Sequence, residues 1–272
     1  LYTIKMAAQY LLDGKSDLML AGGVFFGKKN KALPYFLEGL GVTAKDGNCR
    51  PLDANSTGMI ANEGGGVVVL KRLSDAERDG DNIYALVDSV GWSNNGSGRS
   101  LLAPSPEGQV LAYENAYHKK SVPDVDYIEC HATGTMVGDK VELDSLEDFY
   151  GKQAVTPLFG AVKGNTGHLL TGAGIASLIK VIYSMNEGII PATYGVSDAL
   201  ESRNSVFGAK NLVTTNQRWP ESSKPKKAAI SGFGFGGANA HLLISEYLGK
   251  SLIENDVESS VALASEKNME PL

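Results

Sequence analysis

The sequence predicts an α/β fold with buried sheets, and three observations carry that expectation. Short apolar or β-branched runs alternate with longer segments of helical periodicity, the pattern of sheets layered with helices. The 32 glycines outnumber the 10 prolines and sit inside apolar segments, which points to tight turns and close packing rather than disorder. An apolar fraction of 43% over 272 residues is ordinary for a globular protein and suffices for one large domain or two small ones.

The elements follow in order. Residues 1–12 (LYTIKMAAQYLL) read as an amphipathic helix stopped at Gly14. No Ser, Thr, Asp or Asn precedes them to satisfy the free amides of a helix start, so the sequence reads as opening within a helix of a longer protein. Residues 17–23 (DLMLAGG) read as a buried strand, and residues 25–65, rich in Gly, Asn and Lys, as a long irregular stretch. Residues 67–70 and 84–90 are strand candidates. A helix is expected over 106–118, a strand over 125–129, a helix over 141–150 and a strand over 158–162. Residues 168–185 read as one long apolar helix ended by Gly188. Residues 228–231 and 241–247 look like two strands joined by a glycine run. Beyond Leu248 the pattern dissolves into a polar, acidic linker or tail.

The formal net charge is -6, and much of the excess lies in residues 251–272, where Glu254, Asp256, Glu258, Glu266 and Glu270 face only Lys267. No basic stripe is present, which argues against a nucleic-acid partner. Two cysteines, Cys49 and Cys130, form no CxxC pair, as suits a reducing, cytoplasmic compartment rather than a disulfide scaffold. No apolar run is long enough to span a membrane. The first residue is Leu1, so an upstream targeting segment stays open.

Three segments carry chemistry. Glu129-Cys130-His131-Ala132-Thr133-Gly134-Thr135, followed by Gly138-Asp139-Lys140-Val141-Glu142, presents a histidine just past a strand, where catalytic groups are commonly displayed. Taken alone, His131 could equally be a structural imidazole bonded to a carbonyl. Lys163-Gly164-Asn165-Thr166-Gly167-His168 brings a lysine and a histidine near a helix start, where an imidazole is held neutral and can donate to an enolate-like oxygen. The plainer alternative is an exposed lysine and a capping histidine. Gly232-Phe233-Gly234-Phe235-Gly236-Gly237-Ala238-Asn239 contains a formal GxGxxG, but the following segment is short and strand-like. A glycine-rich hairpin therefore fits better than a dinucleotide fingerprint, which must open a helix. Its freed amides could also face a reacting carbonyl. His131, His168 and Glu142 fit no compact ligand spacing, so no metal is expected. Cys130 would point away from His131 as a small core residue, Cys49 lies in a turn, and His118 and His241 carry no signal beyond placement.

In combination and in order, HATGT with GDxxE, then KxNxGH, then GFGFGGxN resemble the beta-ketoacyl synthase (ketosynthase) family of the thiolase superfamily. LYTIKMAAQYLLDGKSDLMLAGGV resembles the helix and strand after that family's nucleophile motif, and CRPLD and EGGGVVVLKRLSDAERDG resemble further segments. LLAPSPEGQVLAYENAY and GHLLTGAG are most similar to ketosynthases of polyunsaturated fatty-acid synthases and modular polyketide synthases.

The resemblance implies a thiolase-like layered α-β-α-β-α fold, of which this chain holds the C-terminal portion. Residues 1–75 would end the N-terminal half, 76–249 form the C-terminal half, and 250–272 a linker or tail. It implies decarboxylative Claisen condensation of an acyl chain with carrier-bound malonyl. The chain would bind no cofactor directly; malonyl and acyl thioesters would arrive on the phosphopantetheine of an acyl carrier protein, and the enzyme would be a homodimer. His131 and His168 would stabilise the enolate, and Lys163, paired with Glu142, would organise the site. The amide of Phe235 would complete an oxyanion hole and its ring would gate the acyl pocket. Thr133, Thr135, Gly234, Gly236 and Asn239 would contact substrate or brace the glycine loop. The family's nucleophilic cysteine is not in the chain, which is therefore expected not to condense acyl groups unaided. Asn62, Met136 and Gly164 stand where glycine, proline and serine are common. These departures leave a non-condensing, chain-length-factor-like partner as the alternative.

Overall fold

The computed structural model describes residues 1–27, 32–96, 103–118, 125–152 and 156–249. The expected tail lies outside them.

A five-stranded sheet organises the chain in the order β3-β9-β8-β4-β5. Its members are β3 (Leu86–Asn94), β4 (Tyr127–Glu129), β5 (Leu158–Gly160), β8 (Lys227–Gly234) and β9 (Ala238–Ser245). β4 runs parallel to both β5 and β8, whereas β8 and β9 form an antiparallel hairpin through the glycine run. No helix follows that run, so the hairpin expectation holds.

Side chains alternate across the sheet with period two. Tyr127, Ala228, Ile230, Leu242 and Ile244 face one core, shared with α1 (Tyr2–Leu12) and α7 (Ala173–Glu187). Ile128, Cys130, Ala229 and Leu243 face a second core, shared with α4 (Pro106–Ala116) and α5 (Met136–Tyr150). Cys130 thus sits in the core, as its place along the strand predicted. α1 and α7 pack in turn on a two-stranded antiparallel sheet, β1 (Met19–Phe25) with β2 (Gly64–Leu70). The described layers are therefore helix, sheet, helix, sheet.

Several elements differ from the sequence expectation. Residues 25–65 are not wholly irregular, because α2 (Ala32–Gly39) lies within them, and α3 (Leu73–Asp79) follows β2. Both helices, of eight and seven residues, are shorter than the window of about 11–18 residues over which helical periodicity is read. The strand expected to be buried over 17–23 is β1, which pairs with β2 alone among the described residues and is buried only at Ala21. A short pair, β6 (Ile189–Ile190) with β7 (Gln217–Arg218), carries too few residues to leave a periodic signal. α5 begins at Met136 rather than 141, with Thr135 at its N-cap position.

The expected helix over 168–185 is broken into parts. A single turn, α6 (Lys163–Thr166), precedes His168, and a 3-10 turn at Leu170–Gly172 precedes α7. Gly167 at φ 72° and Leu170 at φ 45° interrupt the helical path. Gly188 closes α7 in the left-handed conformation, as expected.

Candidate active site

The two parallel strands β4 and β5 deliver both key segments at their carboxyl ends, where open α/β sheets present ligand sites. His131 follows β4 by two residues, and Lys163 follows β5 by three. The imidazoles of His131 and His168 meet at 5.5 Å between ring centroids, nearly perpendicular.

Helix α5 holds the His131 loop from behind. Asp139 and Glu142, three residues apart, share a helix face. Glu142 accepts from the amides of His131 and Ala132, each at 2.7 Å. Asp139 accepts from Thr133 at 2.8 Å, from Gly134 at 3.1 Å and from Leu52 at 2.8 Å. Burial outweighs these bonds, pushing Asp139 up to about 6 and Glu142 up to about 7. The hydroxyls of Thr133 and Thr135 bond each other at 2.9 Å.

His168 is fixed by backbone on both sides. Its amide donates to Ile60 at 2.7 Å, and its carbonyl accepts from Asn62 at 2.9 Å. The Asn62 side chain also donates to the Thr166 carbonyl at 3.0 Å. Nδ1 of His168 accepts from the Leu170 amide at 3.1 Å, which leaves the proton on Nε2. Burial, with Lys163 adding to it, lowers His168 to about 3. The same causes, together with His168 itself, hold His131 well below the ordinary imidazole range. Both rings are therefore neutral near pH 7.

Lys163 is 2% exposed, and its expected pairing with Glu142 is corrected by the geometry. Among the described residues no ion pair or hydrogen bond joins its ammonium to Glu142, whose oxygens accept from the His131 and Ala132 amides, and the two groups act on each other only through space. Burial lowers the Lys163 pKa, and Glu129, Glu142 and Asp139 oppose that through space.

The glycine hairpin covers one side. Gly234 ends β8, and Gly236 and Gly237 adopt φ 87° and 74°, which favours glycine. Asn239 is buried and donates to Asn95 at 2.7 Å, Ser93 at 3.1 Å and the Gly237 carbonyl at 3.2 Å, bracing the turn. Phe235 is 53% exposed at the tip. The ring that packs on His131 is Phe233, at 5.6 Å. A cleft of about 640 Å³ opens beside α6, lined by Cys49, Arg50, Asn62, Asn165, Thr166 and Tyr194. Among the described residues no cluster of His, Cys, Asp and Glu is placed to hold a metal.

Sequence reasoning passes over the roles of Asp139, Phe233 and the bracing Asn62. The i, i+3 spacing of GDxxE is the signal that could find Asp139. Phe233 has no such signal, because its partner lies 102 residues away in sequence and 5.6 Å away in space.

Residues 1–76 match the model of the beta-ketoacyl synthase N-terminal domain, and residues 84–197 match that of its C-terminal domain. The chain belongs to the beta-ketoacyl synthase family. This ketosynthase chain is 38% identical over 255 residues to a polyunsaturated fatty acid synthase subunit of Thraustochytrium sp., covering 91% of the chain and 12% of that protein. It is 37% identical over 251 residues to polyketide synthase GfsB of Streptomyces halstedii, covering 90% of the chain and 4% of that protein. Among solved structures it is similar to the PfaC keto synthase-chain length factor, at TM-score 0.86 and 44% identity, covering 90% of the chain and 26% of the other. It is also similar to the ketosynthase from module 6 of the bacillaene synthase of Bacillus subtilis 168, at TM-score 0.83 and 28% identity, covering 98% and 51%. The ketosynthase chain thus spans a minor part of the curated relatives it matches.

Proposed function

We propose that this chain supplies the decarboxylating side of a 3-oxoacyl synthase working in fatty-acid or polyketide assembly. The supporting observation is the pair of neutral imidazoles, 5.5 Å apart, one with its proton fixed on Nε2. Two such donors converge on one thioester oxygen. As the malonyl carboxylate leaves as CO2, the electron pair of the breaking C–C bond becomes an enolate whose oxygen they stabilise. Preorganised donors of this kind act on developing charge without reorganisation. The enolate carbon then attacks an acyl thioester held on a cysteine, and that thiolate leaves.

The acyl nucleophile is neither Cys49 nor Cys130. Both are buried, and burial raises both thiols, so neither offers an accessible thiolate. Lys163 contributes positive charge that keeps the imidazoles neutral. The hairpin from Gly234 to Asn239 presents the Phe235 amide to the acyl carbonyl, with Gly236 allowing its turn, and Thr133 and Thr135 bind the phosphopantetheine arm of an acyl carrier protein. The enzyme works as a homodimer, and no cofactor enters beyond the carrier-borne malonyl and acyl thioesters.

Release of CO2 from a malonyl-pantetheine thioester tests this reading. His131→Ala or His168→Ala should each lower the rate by about 10²–10³. Mass analysis after incubation with an acyl thioester should find neither Cys49 nor Cys130 acylated. Decarboxylation unaffected by both substitutions, or absent from the parent, would favour the non-condensing, chain-length-factor-like partner.

A further inference from the structure

One buried carboxylate near the site has so far entered only through its field on Lys163. Glu129, the last residue of β4, is fully buried on the face that looks toward α7. One of its oxygens accepts from the amide of Val162 at 2.7 Å. The other accepts from the Tyr127 hydroxyl at 2.8 Å and pairs with the Lys180 ammonium at 2.7 Å. Lys180 also lies 4.4 Å from the centre of the Tyr127 ring.

The location of these bonds matters more than their number. Glu129 stands two residues before His131. Val162 caps α6, stands next to Lys163 and leads through α6 and Gly167 to His168. β4 and β5 are only three residues each, and α6 is a single turn of four. A helix that short does not hold itself, since nucleation costs more than one turn returns. Alongside the β4–β5 ladder and the Cys130 amide bond to Gly160, the Glu129–Val162 bond links the two strand ends sideways. A buried ion pair is by itself weak evidence of stabilisation, which leaves a structural reason for Glu129 unexplained by Lys180 alone.

We propose that Glu129 is a positioning residue: its carboxylate ties the strand end carrying His131 to the helix start carrying Lys163 and His168, and so sets the spacing of the two imidazoles. Lys180 and Tyr127 neutralise and orient that carboxylate. The role in catalysis rests on the decarboxylation proposed above; the role in spacing does not.

The test compares two double variants of the full chain, Glu129→Gln/Lys180→Met and Glu129→Met/Lys180→Met. Each removes one carboxylate and one ammonium, each takes the field of Glu129 off Lys163 to the same extent, and both keep side-chain volume. Only the glutamine retains an acceptor for the Val162 amide. Through-space contacts between the His131 and His168 ring protons, read by NMR, should persist in the glutamine variant and vanish in the methionine variant. In the methionine variant kcat for malonyl-pantetheine decarboxylation should fall by about 100-fold with KM little changed, the scale of an ångström misplacement. The glutamine variant should keep most of the parental kcat. A methionine variant that keeps the ring contact and the parental kcat overturns the proposal. So does a methionine variant that loses cooperative melting where the glutamine variant keeps it, since the bond would then be a folding contact. A parent without decarboxylase activity would overturn the proposed function, while the NMR comparison would still decide the role of Glu129.

Discussion

Three histidines of this chain are desolvated and neutral, and burial is the first cause for each. His131 and His168 face each other beside Lys163. His241 lies in the α4–α5 core, where Nε2 meets the Tyr150 hydroxyl at 2.8 Å and Nδ1 meets the Ser231 hydroxyl at 3.1 Å. Burial alone lowers His241 from 6.5 to about 3. Its folded pKa lies below its unfolded one, so the unfolded chain takes up the extra proton as pH falls below 6.5. The folded state therefore loses stability from pH 6.5 toward 3, by about 1.4 kcal/mol per pH unit. In His241→Gln that dependence disappears. At pH 7.5 the variant should be less stable by about 1–3 kcal/mol, because buried hydroxyls lose a partner. Urea unfolding at about pH 5 should find the gap narrowed. The raised Asp139 and Glu142 are common to both proteins and cancel in the difference. An unchanged gap would mean that the His241 pKa is the same in the folded and the unfolded chain. Nothing in the sequence marks His241, because only the packing of α4 and α5 against β9 makes its site dry.

At the scale of elements, the departures from the family pattern have physical settings. Met136 is the first residue of α5, the position at which proline is tolerated because its missing amide would be unpaired anyway. Asn62 and Gly164 both line the cleft beside α6. A Cβ at Gly164 would come within 2.3 Å of the Tyr194 carbonyl, so the backbone at 194 has closed over a position where a side chain is common in the family. Gly164→Ser should therefore cost about 1–3 kcal/mol, the usual range for overpacking, unless the 194 loop moves. Thermal melting reads the cost. A serine variant as stable as the parent would show that the loop yields freely. The order of strands and helices is largely legible in the sequence, because long amphipathic periods and β-branched runs are local signals. The break at His168 is not, since it depends on the bridge from Ile60 and Asn62, more than a hundred residues upstream.

For the molecule as a whole, the outer face of the β1–β2 sheet is the conspicuous surface. Leu20, Val24, Val67 and Val69 are each more than half exposed there, on strands whose other face packs against α1 and α7. Two strands alone are marginal, and a contiguous apolar face of this kind favours association. The chain expressed alone should bind a hydrophobic dye and sediment or scatter as more than a monomer. Leu20→Lys/Val67→Lys should reduce both signals without disturbing the five-stranded sheet. Light scattering after size-exclusion chromatography is the measurement, and a monodisperse parent monomer without dye binding would sink the idea.

By itself the sequence determined the α/β class, the hairpin nature of the glycine run, the core placement of Cys130 and the three segments from which the site is built. These are short-range properties: a period of two or 3.6, a glycine at a turn, a histidine just past a strand. Tertiary structure alone decided that His131 and His168 face each other, that Glu142 serves two amides rather than Lys163, and that Phe233 rather than Phe235 packs on His131. It also decided the proton's place on His168, through the Leu170 amide. Each of those outcomes turns on which distant groups share a dry, crowded space, and burial and partner geometry, not residue type, set charge and orientation there.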